Sequence, residues 1–252
     1  VERVSALGGE ALCINNVDRA AASINIDRAM AAGIPVVFIN REPVEEDMNR
    51  WEKLYYVGAD AKESAVLQGQ ILVDAYRKNP ETLDINGDGM VSYVLLEGET
   101  SHQDSLIRTE WSIQTLKDGG VPLEKITGGI ANWERSQASA LMDQWLDEYP
   151  GQIELVICNN DDMALGAIDA MERKGIVGNS IKLVGIDGTP VGQEALEEGK
   201  LFGTVESDKQ KYASVIFDIA SSLAMGKDVK DKVDLEDGKY YWCPQIALTK
   251  QR

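Results

Sequence analysis

The chain has 252 residues, a 44% apolar fraction and a formal net charge of −17 from 25 basic and 42 acidic side chains. That composition excludes a disordered chain, offers no basic stripe to neutralise nucleic-acid phosphates and argues against an anionic membrane surface. No apolar run approaches the ~18 residues of a membrane span, and no signal peptide opens the chain. The first residue is Val1, which reads as a processed or cut start. The length suits two compact domains or one large α/β domain. Cys13, Cys158 and Cys243 are too far apart for a disulfide framework or a CxxC site, and are expected as buried free thiols.

Short β runs alternate with helical stretches. Strands are expected at residues 11–15, 35–40 and 54–57, with helices at 20–32 and 63–79. The pattern resumes with a strand at 91–96 and helices at 105–116 and 138–146. A strand at 153–158, a helix at 163–174 and a strand at 181–186 follow. A helix then ends over 195–199, a strand covers 203–205 and a helix 212–225. Continuous apolar strands separated by helices imply parallel sheets covered on both faces. In such sheets a ligand sits beyond the carboxyl ends of the strands. The residues there are Asn15-Asn16, Asn40-Arg41, Glu97 to Asp104, Asn159-Asn160-Asp161, Asp187 and Glu206-Ser207-Asp208. Asn and Asp also cap helices, so each alone reads first as a cap. Their recurrence after nearly every strand points to a cleft for a neutral, polyhydroxylated ligand, whose hydroxyls donate and accept at once.

Asp84-Ile85-Asn86-Gly87-Asp88-Gly89-Met90-Val91-Ser92 matches the front of an EF-hand loop. Asp84, Asn86 and Asp88 would supply side-chain oxygens, Met90 its carbonyl, and Ser92 the ninth position. Leu95 stands where the bidentate Glu belongs, and a strand follows instead of a helix. The last ligand of a structural calcium ion must then come from elsewhere in the chain.

The stretches AMAAGIPVVFINREP, LYYVGADAKES, DINGDGMVSYVLLEGETSHQDSLIRT, ANWERSQA, IELVICNNDDMALGAIDAM and LVGIDGTP resemble the periplasmic galactose/glucose-binding proteins. These are sugar receptors of ABC importers and chemotaxis in the ribose-binding and lactose-repressor superfamily. The resemblance covers essentially the whole chain. It implies two Rossmann-like α/β lobes with parallel sheets, the type I periplasmic binding fold. It implies sugar-bonding roles for Asn40, His102, Asp104, Arg108, Asn160 and Asp187, and a stacking platform at Trp133. It places the distant calcium carboxylate at Glu154. It also implies a monosaccharide, glucose or galactose, as ligand, and an ABC-transporter permease and a chemoreceptor as partners. The expected place is the periplasm, or a lipoprotein tether on the outer face of a membrane.

This sequence departs from the family at three points. Arg41 replaces a usual Lys, and Ser207 stands where an amide usually reaches the sugar. The family's opening strand, helix and strand precede the helix tail seen here at Val1 to Leu7, so lobe one is expected to be incomplete. The strand at 11–15 would then be an apolar edge open to pairing with a second copy. Crossings near Gly58–Asp60, Glu206–Asp208 and Pro244 divide the chain into lobe one (1–58 and 208–243) and lobe two (60–206 and 245–252), which close about a hinge on the sugar. Two other readings share these residues. A sugar-responsive transcription regulator would need a basic helix-turn-helix, and a sugar-processing enzyme would need paired carboxylates at a defined separation.

Overall fold

The computed structural model describes residues 1–18, 21–176 and 180–250; Ala20, the first residue expected of the second helix, lies outside them. In chain order its elements begin with α1 (Glu2–Ala6), β1 (Leu12–Ile14), α2 (Ala22–Ala32), β2 (Val36–Ile39), α3 (Glu45–Met48) and β3 (Leu54–Ala59). Then come α4 (Ala61–Lys78), β4 (Val91–Glu97), α5 (Gln103–Asp118), β5 (Leu123–Ile130), α6 (Arg135–Glu148) and β6 (Leu155–Cys158). The rest are α7 (Asp161–Arg173), β7 (Lys182–Val184), α8 (Pro190–Glu198), β8 (Gly203–Ser207), α9 (Lys209–Ala224), β9 (Tyr240–Cys243) and β10 (Gln245–Thr249). None of the described helices is long and apolar enough to cross a membrane. The chain divides into a first unit, Val1–Asp60 with Ser207–Pro244, and a second, Ala61–Glu206 with Gln245–Arg252.

The first unit is built on a parallel sheet in the order β1-β2-β3-β9. Successive side chains of a strand point to opposite faces. Val36 and Phe38 therefore pack with Ile26 and Ala29 of α2, while Val37 packs with Val215 and Ile219 of α9. Both faces are dry, which explains the unbroken apolar run of β2. β1 is an edge of three residues, paired in this sheet to β2 alone, and its Cys13 is exposed. That corrects the expectation of three buried thiols; Cys158 and Cys243 are buried.

The second unit carries six strands in the order β10-β8-β7-β6-β4-β5. The ladders from β8 through β5 are parallel. Val94, Leu96, Val156 and Leu183 face α6 and α7, whose Met142, Trp145, Leu165 and Ile168 close that core. Tyr93, Leu95, Leu155 and Ile157 face the opposite way, onto Ile71, Leu72 and Leu116 of α4 and α5.

Three strands escape sequence reading. β5 is an edge strand with no buried residue and a largely polar or glycine sequence (Glu124, Lys125, Thr127, Gly128, Gly129), so no apolar run marks it. β9 and β10 lie on either side of Pro244, too short to show a period. The helices α5, α6, α7 and α9 start two or three residues earlier than their apolar periodicity, because each first turn is polar.

Candidate functional site

The polar residues following β4, β5, β6 and β7 meet at one end of the second unit's sheet. His102 caps α5, its Nδ1 accepting the Asp104 N–H at 3.2 Å. A ring nitrogen that accepts carries no proton, so the proton sits on Nε2 and makes that atom a donor. Asn160 caps α7: its Oδ1 accepts from Met163 N at 2.9 Å, and its Nδ2 donates to the Trp133 carbonyl at 3.4 Å. The cap reading of Asn160 and a ligand role use different atoms of one amide. Arg108 is buried. Its Nη1 donates to the Asn159 carbonyl at 2.8 Å and lies 3.5 Å from Asp187 Oδ1, while Nη2 is 3.7 Å from Asp104 Oδ2. The His102 ring meets Trp133 edge to face at 5.2 Å, and the Arg108 guanidinium carbon is 5.9 Å from the Trp133 ring. His102, Asp104, Arg108, Trp133, Asn160 and Asp187 thus form one cluster. Asn40 belongs to the first unit. There its N–H donates to Tyr212 Oη at 3.0 Å and its carbonyl accepts from Tyr56 Oη at 2.8 Å.

Two features mark this cluster. First, Arg108 Nε and Trp133 Nε1 are buried donors with no acceptor among the described residues. Buried polar groups are nearly always paired, so such donors need an acceptor brought from outside. Second, only five non-glycine residues among those described have positive φ, and three belong to this cluster or adjoin it. They are Asn132 (51°), Trp133 (68°) and Asp187 (112°); the other two, Asn40 (63°) and Asp237 (49°), lie in the first unit. Each such residue costs on the order of 1–3 kcal/mol and persists only where its surroundings hold it. Gly98 follows β4 directly beneath the Trp133 ring, and a Cβ there would run into the indole.

Two residues support the cluster: Asn159, which sequence reading names only as one of the residues after a strand, and Gln68, which it misses. Asn159 is fully buried; its Oδ1 accepts from Gly98 N at 3.0 Å and from Ser105 Oγ at 3.2 Å. Gln68 of α4 is fully buried too, donating to the Cys158 and Gly185 carbonyls at 2.8 and 3.0 Å and accepting from Ser112 Oγ at 2.7 Å. A glutamine on the apolar stripe of a helix, between Ala65 and Leu72, is the signal that could have found it.

The loop 84–92 lies at the opposite end of the same sheet. Asp84 accepts from Gly87 N at 2.8 Å and Gly89 N at 3.0 Å. Asn86 Oδ1 accepts from Asp88 N at 2.8 Å, and Asp88 Oδ1 from Met90 N at 2.9 Å. Glu154, just before β6, reaches the loop. Oε1 accepts from Ile85 N and Asn86 N at 2.7 and 2.9 Å, and Oε2 from Ser92 N at 2.8 Å. Both Glu154 oxygens are therefore occupied by amides. Among the described residues no group of three His, Cys, Asp or Glu side chains gathers closely enough to hold a metal ion. The donor set is nonetheless one of hard oxygens, and among the described residues no Lys or Arg pairs with Asp84, Asp88 or Glu154.

A profile of the periplasmic binding protein domain matches residues 1–228. The chain is 35% identical over 246 residues to the D-galactose/methyl-galactoside binding periplasmic protein of Haemophilus influenzae, covering 96% of this chain and 73% of that protein. An ABC transporter solute binding protein from Bacillus halodurans C-125, solved with bound myo-inositol, is 29% identical with a TM-score of 0.79 over 98% of this chain and 77% of that one. A Mycobacterium smegmatis structure in complex with β-D-fucofuranose is 26% identical with a TM-score of 0.82 over 99% of this chain and 75% of that one. The chain therefore belongs to the periplasmic binding protein family and has its type I fold, in a family of solute receptors and not of enzymes.

Proposed function

We propose that the protein is the extracytoplasmic sugar-binding component of an ABC importer, holding a neutral monosaccharide of the galactose or glucose type. The observation that carries this reading is the buried, unmatched donor Arg108 Nε, in a cluster that also offers Asp104, Asp187 and Asn160. Sugar hydroxyls accept from Arg108 and donate to the carboxylates, while the Trp133 ring covers an apolar C–H face. The printed ligands of the relatives, galactosides, myo-inositol and a fucofuranose, share this polyhydroxylated chemistry. Titration calorimetry with D-galactose, D-glucose and myo-inositol tests the reading. Saturable heat with at least one sugar is expected, and absence of heat with all three overturns it. In this reading the loaded receptor is recognised by the membrane permease and by a chemoreceptor.

A calcium ion is proposed at the loop 84–92, held by the side chains of Asp84, Asn86, Asp88 and Ser92, the Met90 carbonyl and Glu154. A bound calcium ion supplies structural cross-linking through hard oxygen ligands. The support is three carboxylates around one loop with no basic partner. A melting temperature that rises with added Ca2+ and falls with chelator is the expected result; an unchanged one removes the proposal.

A further inference from the structure

Asp161 stands among the residues that follow the strands, but no role has been given to it. It is the first residue of α7, beside the cap Asn160, and it is fully buried. Its Oδ2 accepts from Thr189 N at 2.7 Å and Thr189 Oγ1 at 3.2 Å, and its Oδ1 accepts from Thr204 Oγ1 at 2.6 Å. A carboxylate can only accept, so both hydroxyls must donate to it. Their oxygens are thereby left as acceptors for other groups. Thr204 Oγ1 takes Gly188 N at 3.3 Å, and Thr189 Oγ1 takes Gly192 N at 3.0 Å, capping α8. Asp187 N itself donates to the Val205 carbonyl at 2.8 Å. Three consecutive amides, 187 to 189, are tied down, two of them through Asp161.

We propose that Asp161 is a positioning residue for Asp187: its buried carboxylate holds the segment 187–189 and fixes the direction of the hydroxyl bonds that anchor it. The ligand arm of this proposal rests on the sugar-binding reading above. The φ of 112° at Asp187 is a conformation that a free chain would leave, so something must hold it. The fold also makes room for the carboxylate. A Cβ at Gly185 or Gly192 would run into its oxygens. Among the described residues no Lys or Arg pairs with Asp161, so it is not half of an ion pair. The titratable groups that face it are Asp187 after β7, Cys158 at the end of β6 and, across Gly188, Glu206 on β8. Glu206 accepts from Gln193 Nε2 at 2.9 Å, and Arg108 lies beyond, on Asp187. Burial pushes the Asp161 carboxyl up to about 6, against the lowering effect of the Thr204 and Thr189 bonds and with a further push from the Asp187 charge. A protonated carboxyl would donate to Thr204 Oγ1, reverse that bond and leave the Thr204 hydroxyl proton without its acceptor. Asp161→Asn reproduces that state at any pH.

Amide hydrogen exchange of the ligand-free protein, read residue by residue, tests the proposal without any sugar. Asp161→Asn is expected to speed exchange at Gly188 and Thr189 about ten-fold, the worth of one net hydrogen bond. Thr204→Val, which removes one hydroxyl and keeps the shape, is expected to speed Gly188 alone. The exposed neighbour variant Asp162→Asn is expected to change neither. In the wild type, protection at Gly188 should fall as pH drops through about 6, and in Asp161→Asn it should be flat. Unchanged exchange at both amides in both variants overturns the proposal. Titration with D-galactose and D-glucose is the second arm. About ten-fold weaker binding by Asp161→Asn, with no loss of melting temperature, is expected. Full affinity alongside faster exchange overturns the positioning role. A wild type that binds neither sugar overturns the sugar reading instead, and the exchange data still decide the role of Asp161.

Discussion

At its N-terminal end β4 emerges from the loop 84–92, and at its C-terminal end it runs into Gly98 beneath the Trp133 ring. β6 follows the same course, from Glu154 beside the loop to Asn159 and Asn160 in the cluster. At the loop end the positive-φ positions are Gly87 and Gly89, which adopt that conformation freely, and every carboxylate shown there accepts amides. At the cluster end, beside Gly188, Asn132, Trp133 and Asp187 hold positive φ without that freedom, and two buried donors lack acceptors. One end is complete in itself apart from its uncompensated negative charge. The other is strained and unfinished. The two proposed ligands differ in the same way: a cation at carboxylates without a basic partner, a hydroxylated neutral molecule at unmatched donors.

The largest way to break this comparison is Arg108→Ala. The guanidinium lies near Asp104 and Asp187, and in the proposed reading its unmatched Nε donates to the sugar. Its removal strands two carboxylates and deletes a ligand bond, an expected loss of about 4 kcal/mol, or roughly a thousand-fold in sugar affinity. Calorimetry checks it; affinity within ten-fold of wild type would contradict the role of the cluster. At the other end, Glu154→Ala removes the acceptor of three amides, Ile85, Asn86 and Ser92. At about 1 kcal/mol each the expected destabilisation is about 3 kcal/mol. The variant should also lose any response of its melting temperature to Ca2+, while an intact response would move the proposed cation off Glu154.

Asp161 gives the comparison a pH dependence. Its carboxyl titrates at about 6 in the fold and near 3.8 in the unfolded chain. The folded state then binds the proton more tightly, so this group's stabilising contribution is full below 3.8 and is lost as pH rises through 6. Between pH 7.5 and 4.5 the wild type should gain about 2 kcal/mol relative to Asp161→Asn, read from denaturant unfolding of both. Ligand affinity should move the opposite way, falling in mild acid. A group that weakens the fold at neutral pH and strengthens binding there is what a functional position looks like; parallel pH profiles of the two proteins would refute it.

Much of this arrangement is legible in the chain before folding. The runs at 91–96 and 153–158 announce buried strands, and the amides and carboxylates that end them announce the polar cluster. Asp161 stands among those residues, yet nothing in the chain distinguishes it from its exposed neighbour Asp162. Its role depends on Thr189 and Thr204, which only the β7 and β8 pairing brings to it. Glu154 was reachable only through resemblance, since 62 positions separate it from Ser92. The unmatched Nε atoms are products of packing and have no sequence signature. β5 was lost because an exposed edge strand needs no apolar alternation.

The smallest expected effect bears on the strain itself. Asn132 holds φ at 51° and its Nδ2 donates to Gln137 Oε1 at 2.8 Å on an exposed surface, so its side chain contributes little beyond its conformation. Glycine would adopt that backbone at no steric cost, as Gly87 and Gly89 do at the opposite end. Asn132→Gly should therefore raise stability by up to about 1 kcal/mol, a gain of about 2–4 °C in melting temperature. Binding should not share the gain. The strained Asn132 limits the conformations open to Trp133 before a sugar arrives, and glycine widens them, so affinity should fall by a few-fold. A lower melting temperature would show that Asn132 is held by contacts and not against its preference. In that case the strained end would be Trp133 and Asp187 alone, and the ring would owe its place to Gly98 and His102.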